Sequence, residues 1–563
     1  MSKAIAHECR FAFYQKDNWG EGDDLHVVKE LIHFEDGSKK KNLRFIKNME
    51  RPFWVVKPAL RKYTQRREWM TKEDLIEFSS TQSDLIRSAA RALGQPWFQG
   101  SLRQLNNNPY LFGTDITSTA YLKSRYLQKY PDQFTAYEYA VYDFETNIFT
   151  ERGEVLMATV AIGKKSYTWV RRAFFKGRVQ IEEELDRVIR QQLSDIPNYG
   201  DLFTKFGLEF EVILVDTPWD VVSQSIQKLH ELQPDFVGVW NLPFEIKKIQ
   251  ETCEDHSQDI ADLMCDPRVP KRFRSYRFKE GEAKRVTASG RVMTFKPSDR
   301  WNTVYAPASF YWMDSMCCYR RAREGGKELP SYSLDAILKE ELGITKLKFS
   351  GADHIEDKTA WHFYMQEHHP FEYVAYNIFD CVSMLILDAK TMDLAVAIPM
   401  AAECSDFDKM NSQPRRMVDS LTMDGNADGW VMGTTAEREH MVTDVHRAMP
   451  SVDGWIIAQA TELIAPKGLK ILEDLPDQPT NVYINCVDLD ISKAYPTNGE
   501  VANSSLETTR KVLSGIPGVD EWTVRKNNLN LSGGAVNAGE FCTELLGLPT
   551  MLEMGELFEK SLG

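Results

Sequence analysis

The residues of this sequence best suited to chemistry are carboxylates set at strand and helix spacing. Asp143-Phe144-Glu145 follows the strand-like run Ala136–Tyr142. Alternation along a strand puts both acids on one face and Phe144 on the other. Two acids on one face repel unless a cation lies between them, and hard oxygen ligands of this kind suit Mg2+ or Mn2+. Taken alone, the same triplet is equally the solvated end of a strand. Tyr376-Asn-Ile-Phe-Asp380 lies in a stretch that is apolar at 371, 374, 375, 378, 382, 385, 386 and 389. That spacing predicts a helix over 371–390. The i,i+4 relation puts the Tyr376 hydroxyl and the Asp380 carboxylate on one side of it, although an ordinary helix surface offers such a pair too. Between them, Val239-Trp-Asn-Leu-Pro-Phe-Glu245 closes an apolar strand and opens a helix.

A further acidic cluster stands late in the chain. Asp488-Leu-Asp-Ile-Ser-Lys-Ala-Tyr-Pro-Thr497 runs on from the apolar strand Val482–Val487. By itself it is an acidic strand end followed by a Tyr-Pro turn.

The elements that must position these groups change character along the chain. Residues 1–133 read as an N-terminal α+β domain of strands and short helices. Strands at 26–34 and 42–46 flank the turn Glu35-Asp-Gly-Ser38, and Arg51–Val56 forms another. From residue 134 strands and helices alternate: strands at 136–142, 154–162, 167–170 and 211–215, and a helix at 181–193. A helix with Pro218 in its first turn leads to a strand at 235–240. This alternation predicts an α/β domain over 134–395, a mixed sheet flanked by helices. Residues 396–563 open with Gly, Asp and Asn punctuation at Met423–Gly429, read as a break between elements.

Composition sets limits on the rest. A chain of 563 residues exceeds a single hydrophobic core. No apolar run of about twenty residues predicts a membrane span, and no secretory signal is read at the start, so a cytoplasmic setting is expected (host cytoplasm for a viral protein). The nine cysteines lack metal-ligand spacing and read as buried free thiols. A net charge of −14 lends no bulk support to DNA binding, yet one basic channel can coexist with acidic faces. The mixture Lys271-Arg-Phe-Arg-Ser-Tyr-Arg-Phe-Lys279 reads either as a solvated hairpin or as a strand-binding surface.

Taken in order, these three elements resemble the Exo I, Exo II and Exo III motifs of the DnaQ-like exonucleases, which have an RNase H-like fold. Leu329–Lys348 and Tyr376–Lys390 narrow the resemblance to the family B DNA polymerases of tailed bacteriophages. The resemblance implies a two-metal 3′→5′ proofreading exonuclease, with two ions about 4 Å apart clamping the terminal phosphodiester. Asp143, Glu145 and Asp380 would carry the metals, Tyr376 would orient the water, and Asn241 and Phe244 would hold the terminal nucleotides. Glu245 stands where the family has an aspartate, one residue closer to the asparagine. Its extra methylene moves the carboxylate by over an ångström, and a misplacement of that size can cost about 10²-fold.

Asp488–Thr497 likewise resembles polymerase motif A, the beginning of an α+β palm. On that alignment Asp490 is a metal ligand and Tyr495 lies under the incoming sugar. Lys493-Ala494 replaces the family's Ser-Leu, which bears on packing of that pocket. The fingers and motif C sequences do not follow Asp490. The resemblance therefore implies a DNA-directed DNA polymerase completed by a second chain that supplies fingers, the remaining palm and thumb. Its expected partners are primer-template DNA, single-stranded 3′ ends and, through that chain, a sliding clamp. A free-standing exonuclease and an inactive scaffold subunit of a replication complex are the alternatives.

Overall fold

The computed structural model describes residues 2–63, 67, 69–131, 133, 135–286, 292–323, 329–347, 349–352, 354–355, 357–394, 404–405 and 413–433, and the strand segments 509–513, 521–525, 528–531 and 534–537. The chain divides into two compact units, Met1–Thr435 and Ala436–Gly563. In the second, Thr509–Leu513 pairs antiparallel with Glu521–Arg525, and Asn528–Leu531 with Gly534–Asn537. Asp488, Asp490 and Tyr495 lie outside the described residues.

The first unit begins with an antiparallel sheet of β1 (Ala4–Lys16), β2 (Asp24–Phe34) and β3 (Lys39–Lys47). The β2–β3 hairpin turns at the expected Glu35–Ser38, where Gly37 takes a positive φ of 80°. A second small sheet joins β4 (Arg51–Val56), β6 (Leu75–Ser80) and β7 (Leu111–Phe112), while β5 (Trp69–Thr71) pairs with the distant strand Trp430–Met432. The segment Met423–Gly429 departs from expectation. The helix Gln413–Ala427 covers the first five residues of it, and the chain breaks only at Asp428-Gly429, where Gly429 has a φ of +87°. Met423 is buried against Trp54 and Phe112, so tertiary burial outweighs the weak helix propensity of the Asp, Gly and Asn residues there.

The site is positioned by a six-stranded sheet in the order β11-β10-β9-β8-β12-β17. Its members are β8 (Tyr139–Thr146), β9 (Val155–Ile162), β10 (Lys165–Arg171), β11 (Glu209–Val215), β12 (Phe236–Val239) and β17 (Tyr311–Asp314), with the short strands β13 (Arg277–Lys279), β14 (Lys284–Val286), β15 (Val292–Thr294) and β16 (Thr303–Tyr305) between the last two in sequence. β8, β9 and β10 form an antiparallel meander. β12 and β17 extend it on the β8 side as parallel strands, and β11 joins β10 in parallel at the other edge. The chain is thus mixed α/β, as the alternation predicts.

Strand alternation gives the sheet two cores. Ala140, Tyr142 and Phe144 pack toward the helices Pro218–Leu232 and Leu242–Asp255. Val141, Leu156 and Met157 pack toward the helices Ile181–Leu193 and Pro370–Thr391. The last is buried along most of its length, which explains why its apolar spacing is so dense. The Pro218 helix starts as its sequence predicts: Thr217 caps the backbone N–H of Asp220, and the Asp220 carboxylate returns to Thr217. Among the described cysteines only Cys9 is not fully buried, and among the described residues no helix is long and apolar enough to cross a membrane.

A buried charge cluster fastens the N-terminal sheet to this domain. Asp235, just before β12, pairs with Arg10 Nη2 at 2.9 Å and Lys29 Nζ at 2.7 Å. Arg10 also donates to the carbonyls of Thr135 and Ala136, and Lys29 to that of Gln233. Burial opposes the Asp235 charge, but the two cations hold its pKa below the usual range. The Lys271–Lys279 mixture works at the same junction: Arg272 pairs with Asp17, Glu21 and Asp23, and Arg274 with Asp262. Those two cations serve the fold, while Arg277 and Lys279 remain exposed on β13 (Arg277–Lys279). Asp235→Ala leaves two buried cations without their shared partner. Such a loss costs about 3–5 kcal/mol, and a fall of that size in the free energy of unfolding by urea is the expected result.

Candidate functional site

β8 outruns its parallel neighbour, and this opens the site. Pairing of β12 with β8 ends at Gly238 opposite Val141, and the chain then turns at Trp240-Asn241 into the helix Leu242–Asp255. Asp143 and Glu145 lie beyond that last pair. They lie in the last four residues of β8, which ends at Thr146. On the other side β9 still supports them, with Asp143 opposite Thr159.

The long helix supplies the third acid. One carboxylate oxygen from each of Asp143, Glu145 and Asp380 lies within 4.8 Å of the others, a grouping that could hold a metal ion. Asp143 and Glu145 are half-buried and Asp380 is buried. Two buried carboxylate oxygens, Asp380 Oδ1 and Glu245 Oε2, have no hydrogen-bond partner. Leaving such oxygens unpaired away from water is costly, so the donor set fits a hard divalent cation.

The electrostatics point the same way. Burial, then the charges of Asp380 and Glu145, hold the Asp143 carboxyl well above the ordinary carboxylate range. Glu145 is pushed up to about 7, chiefly by burial, against the opposing hydrogen bond from Tyr373. Burial likewise raises Asp380. Glu245, in the first turn of its helix, is raised well above normal by burial and then by the nearby Asp143 charge. The extra methylene therefore leaves Glu245 within electrostatic reach of the cluster, although it is not one of the three acids grouped around a common point.

Four groups that the sequence did not single out complete the site. Lys346 Nζ pairs with Asp380 and donates to the Tyr376 hydroxyl at 3.0 Å. Burial works against the Lys346 charge, but Asp380 and Tyr376 overcome it and hold its pKa well above normal. The Tyr373 hydroxyl donates to Glu145 Oε2 at 2.7 Å, with Gln366 donating to Tyr373 from behind. Asn377 Nδ2 donates to Asp143 Oδ2 at 2.7 Å. Tyr373 stands at i−3 from Tyr376 and Asn377 at i−3 from Asp380, so the helical period could have placed each beside a residue of the site. Nothing in the local sequence marks Lys346.

The remaining expected residues lie at the rim. Asn241 is exposed and makes no side-chain capping bond. Phe244 is 39% exposed, with its ring 5.9 Å from that of Phe144. The Tyr376 hydroxyl is buried beside Asp380, as the i,i+4 spacing predicts.

A definite pH dependence follows. Glu145 has a folded-state pKa of about 7 against an ordinary 4.5. Between those values the folded protein holds more protons than the unfolded chain, so stability falls as pH rises. Metal-free protein is expected to melt lower at pH 8 than at pH 5. Mn2+ should raise the melting temperature more at pH 8, and calorimetry in buffers of different ionisation enthalpy should register protons released on binding near pH 6. No protein-family model matches the chain, and no curated protein matches it, so the chemistry of this site rests on its own geometry.

Proposed function

We propose that this protein is a 3′→5′ exodeoxyribonuclease of the DnaQ-like type, built on an RNase H-like domain and serving as the proofreading part of a family B DNA polymerase. The observation that carries the reading is the convergence of Asp143 and Glu145 from one strand with Asp380 from a separate helix within 4.8 Å. An antiparallel meander extended by parallel strands, with the acids on its central strand β8, supports the fold assignment. The order of the three motifs along the chain supports the activity.

Two Mg2+ or Mn2+ ions bound by these acids would supply a water of lowered pKa and stabilise charge on the leaving 3′ oxygen. Asp143, Glu145 and Asp380 would hold the ions, with Glu245 adding negative charge beside Asp143. Tyr376 keeps its proton, since burial and then the Asp380 charge hold its pKa well above normal. Its hydroxyl accepts from Lys346, which fixes the oxygen and suits it to orienting a water at the Asp380 edge of the site. The exposed Phe244 ring, against Phe144 between the two β8 acids, and the exposed Asn241 amide, at the start of the Glu245 helix, are available to the bases and sugars of a frayed single strand.

Single-stranded DNA labelled at its 5′ end tests the reading. Stepwise shortening from the 3′ end that requires Mg2+ is expected. It should fall by more than about 100-fold in Asp143→Asn and Asp380→Asn, since even residues that only support metal ligands are worth about 10–100-fold. Glu245→Gln, which keeps the shape and removes the charge, is expected to cost about 10- to 100-fold on the same assay. Absence of cleavage by the wild-type chain at any divalent-metal concentration would leave only a scaffold role.

A further inference from the structure

One stripe of the Pro370–Thr391 helix carries Tyr373, Tyr376, Asn377 and Asp380, at positions i, i+3, i+4 and i+7. Asp380 is a ligand and Tyr376 faces it. The other two each hold one of the acids of β8, and each is held in turn by a hydrogen-bond chain whose direction is determined.

The first chain crosses the sheet. The Thr159 hydroxyl on β9 donates to Asn377 Oδ1 at 2.5 Å. Its single proton is thereby committed, so its 2.9 Å contact with Thr168 on β10 must be one in which Thr168 donates. Thr159, Thr168 and Asn377 are all fully buried. With its carbonyl oxygen turned to Thr159, the Asn377 amide must point its nitrogen at Asp143. The second chain comes from the neighbouring helix Lys358–His368. Tyr373 commits its proton to Glu145, so His362 Nδ1, 2.7 Å from the same hydroxyl, must be the protonated nitrogen. Gln366 Nε2 donates to that oxygen at 3.3 Å and to the Thr146 carbonyl at 2.8 Å. Its Oε1 accepts the Ile148 N–H. The glutamine is therefore fixed by the backbone just beyond Glu145.

We propose that Asn377 and Tyr373 are positioning residues for the metal-binding acids, with Thr159–Thr168 and His362–Gln366 setting their orientation. The proposal rests on the metal-site reading above. Two like-charged carboxylates left to choose their own rotamers would swing apart. A donor on each, anchored in the core, holds them converged at no cost in reorganisation when cations arrive. None of these four supporting side chains need touch a metal or DNA.

Mn2+ binding to the full chain, followed by the electron paramagnetic resonance of free Mn2+, reads this directly. Thr159→Val and Tyr373→Phe, which keep shape and remove one hydroxyl each, are expected to weaken Mn2+ binding about 10- to 100-fold. Thr159→Ser, which restores the donor, should bind as wild type does. Mg2+-dependent cleavage of single-stranded DNA should recover partly in the two weakened variants at high metal concentration. A purely structural role would lower the melting temperature and leave the affinity of the folded protein alone. Affinities within twofold of wild type in both Thr159→Val and Tyr373→Phe would overturn the positioning roles while leaving the metal site standing. Wild-type protein that binds Mn2+ no better than Asp143→Asn would overturn both.

Discussion

The repulsion among carboxylates held together away from water governs the architecture of the first unit. Asp143, Glu145 and Asp380 converge from a strand and a helix, and the buried Glu245 adds a fourth acid that feels the charges of Asp143 and Glu145. No packing arrangement of the chain would gather these groups for stability, since each raises the cost of ionising the next. The surroundings consist of devices that tolerate the concentration: the Lys346 ammonium on Asp380, the Asn377 amide on Asp143 and the Tyr373 hydroxyl on Glu145. Even so, the acids stay above their ordinary pKa range. A site built at such a cost in local stability is where function is expected.

The sheet makes the convergence possible by being uneven. β8 is paired with β12 only as far as Val141 and then continues alone on that side. The gap is filled by a helix N-terminus that brings Glu245 in, while the long helix lies across the opposite face of the strand. The same unevenness leaves Asn241 and Phe244 at the rim and exposed.

A second buried ionic cluster, around Asp235, has a different balance. There two acids, Asp235 and Glu8, meet the cations Arg10 and Lys29, which also donate to four carbonyl oxygens, and the Asp235 pKa is lowered. The contrast separates a fastening from a reactive centre. Charges that cancel inside the chain hold the N-terminal sheet against the α/β domain, whereas charges that do not cancel call for a cation from outside.

Much of this was legible in the sequence because it is local. Period-two alternation put Asp143 and Glu145 on one face of a strand, and the apolar spacing of 371–390 gave the long helix with Tyr376 and Asp380 on one side. The Thr217–Pro218 start identified another helix. The break expected at Met423–Gly429 comes only at its last two residues, because burial of Met423 against residues far away in sequence overrode local propensity. Other supporting groups were illegible for a similar reason: Thr159 and Thr168 sit in runs that read as ordinary buried strand, and Lys346 as one lysine among several. Sequence alone thus determined which acids share a face. Only the tertiary structure decided which side chains hold them there, since a hydrogen bond between residues far apart in the chain depends on a meeting of elements that no local pattern records.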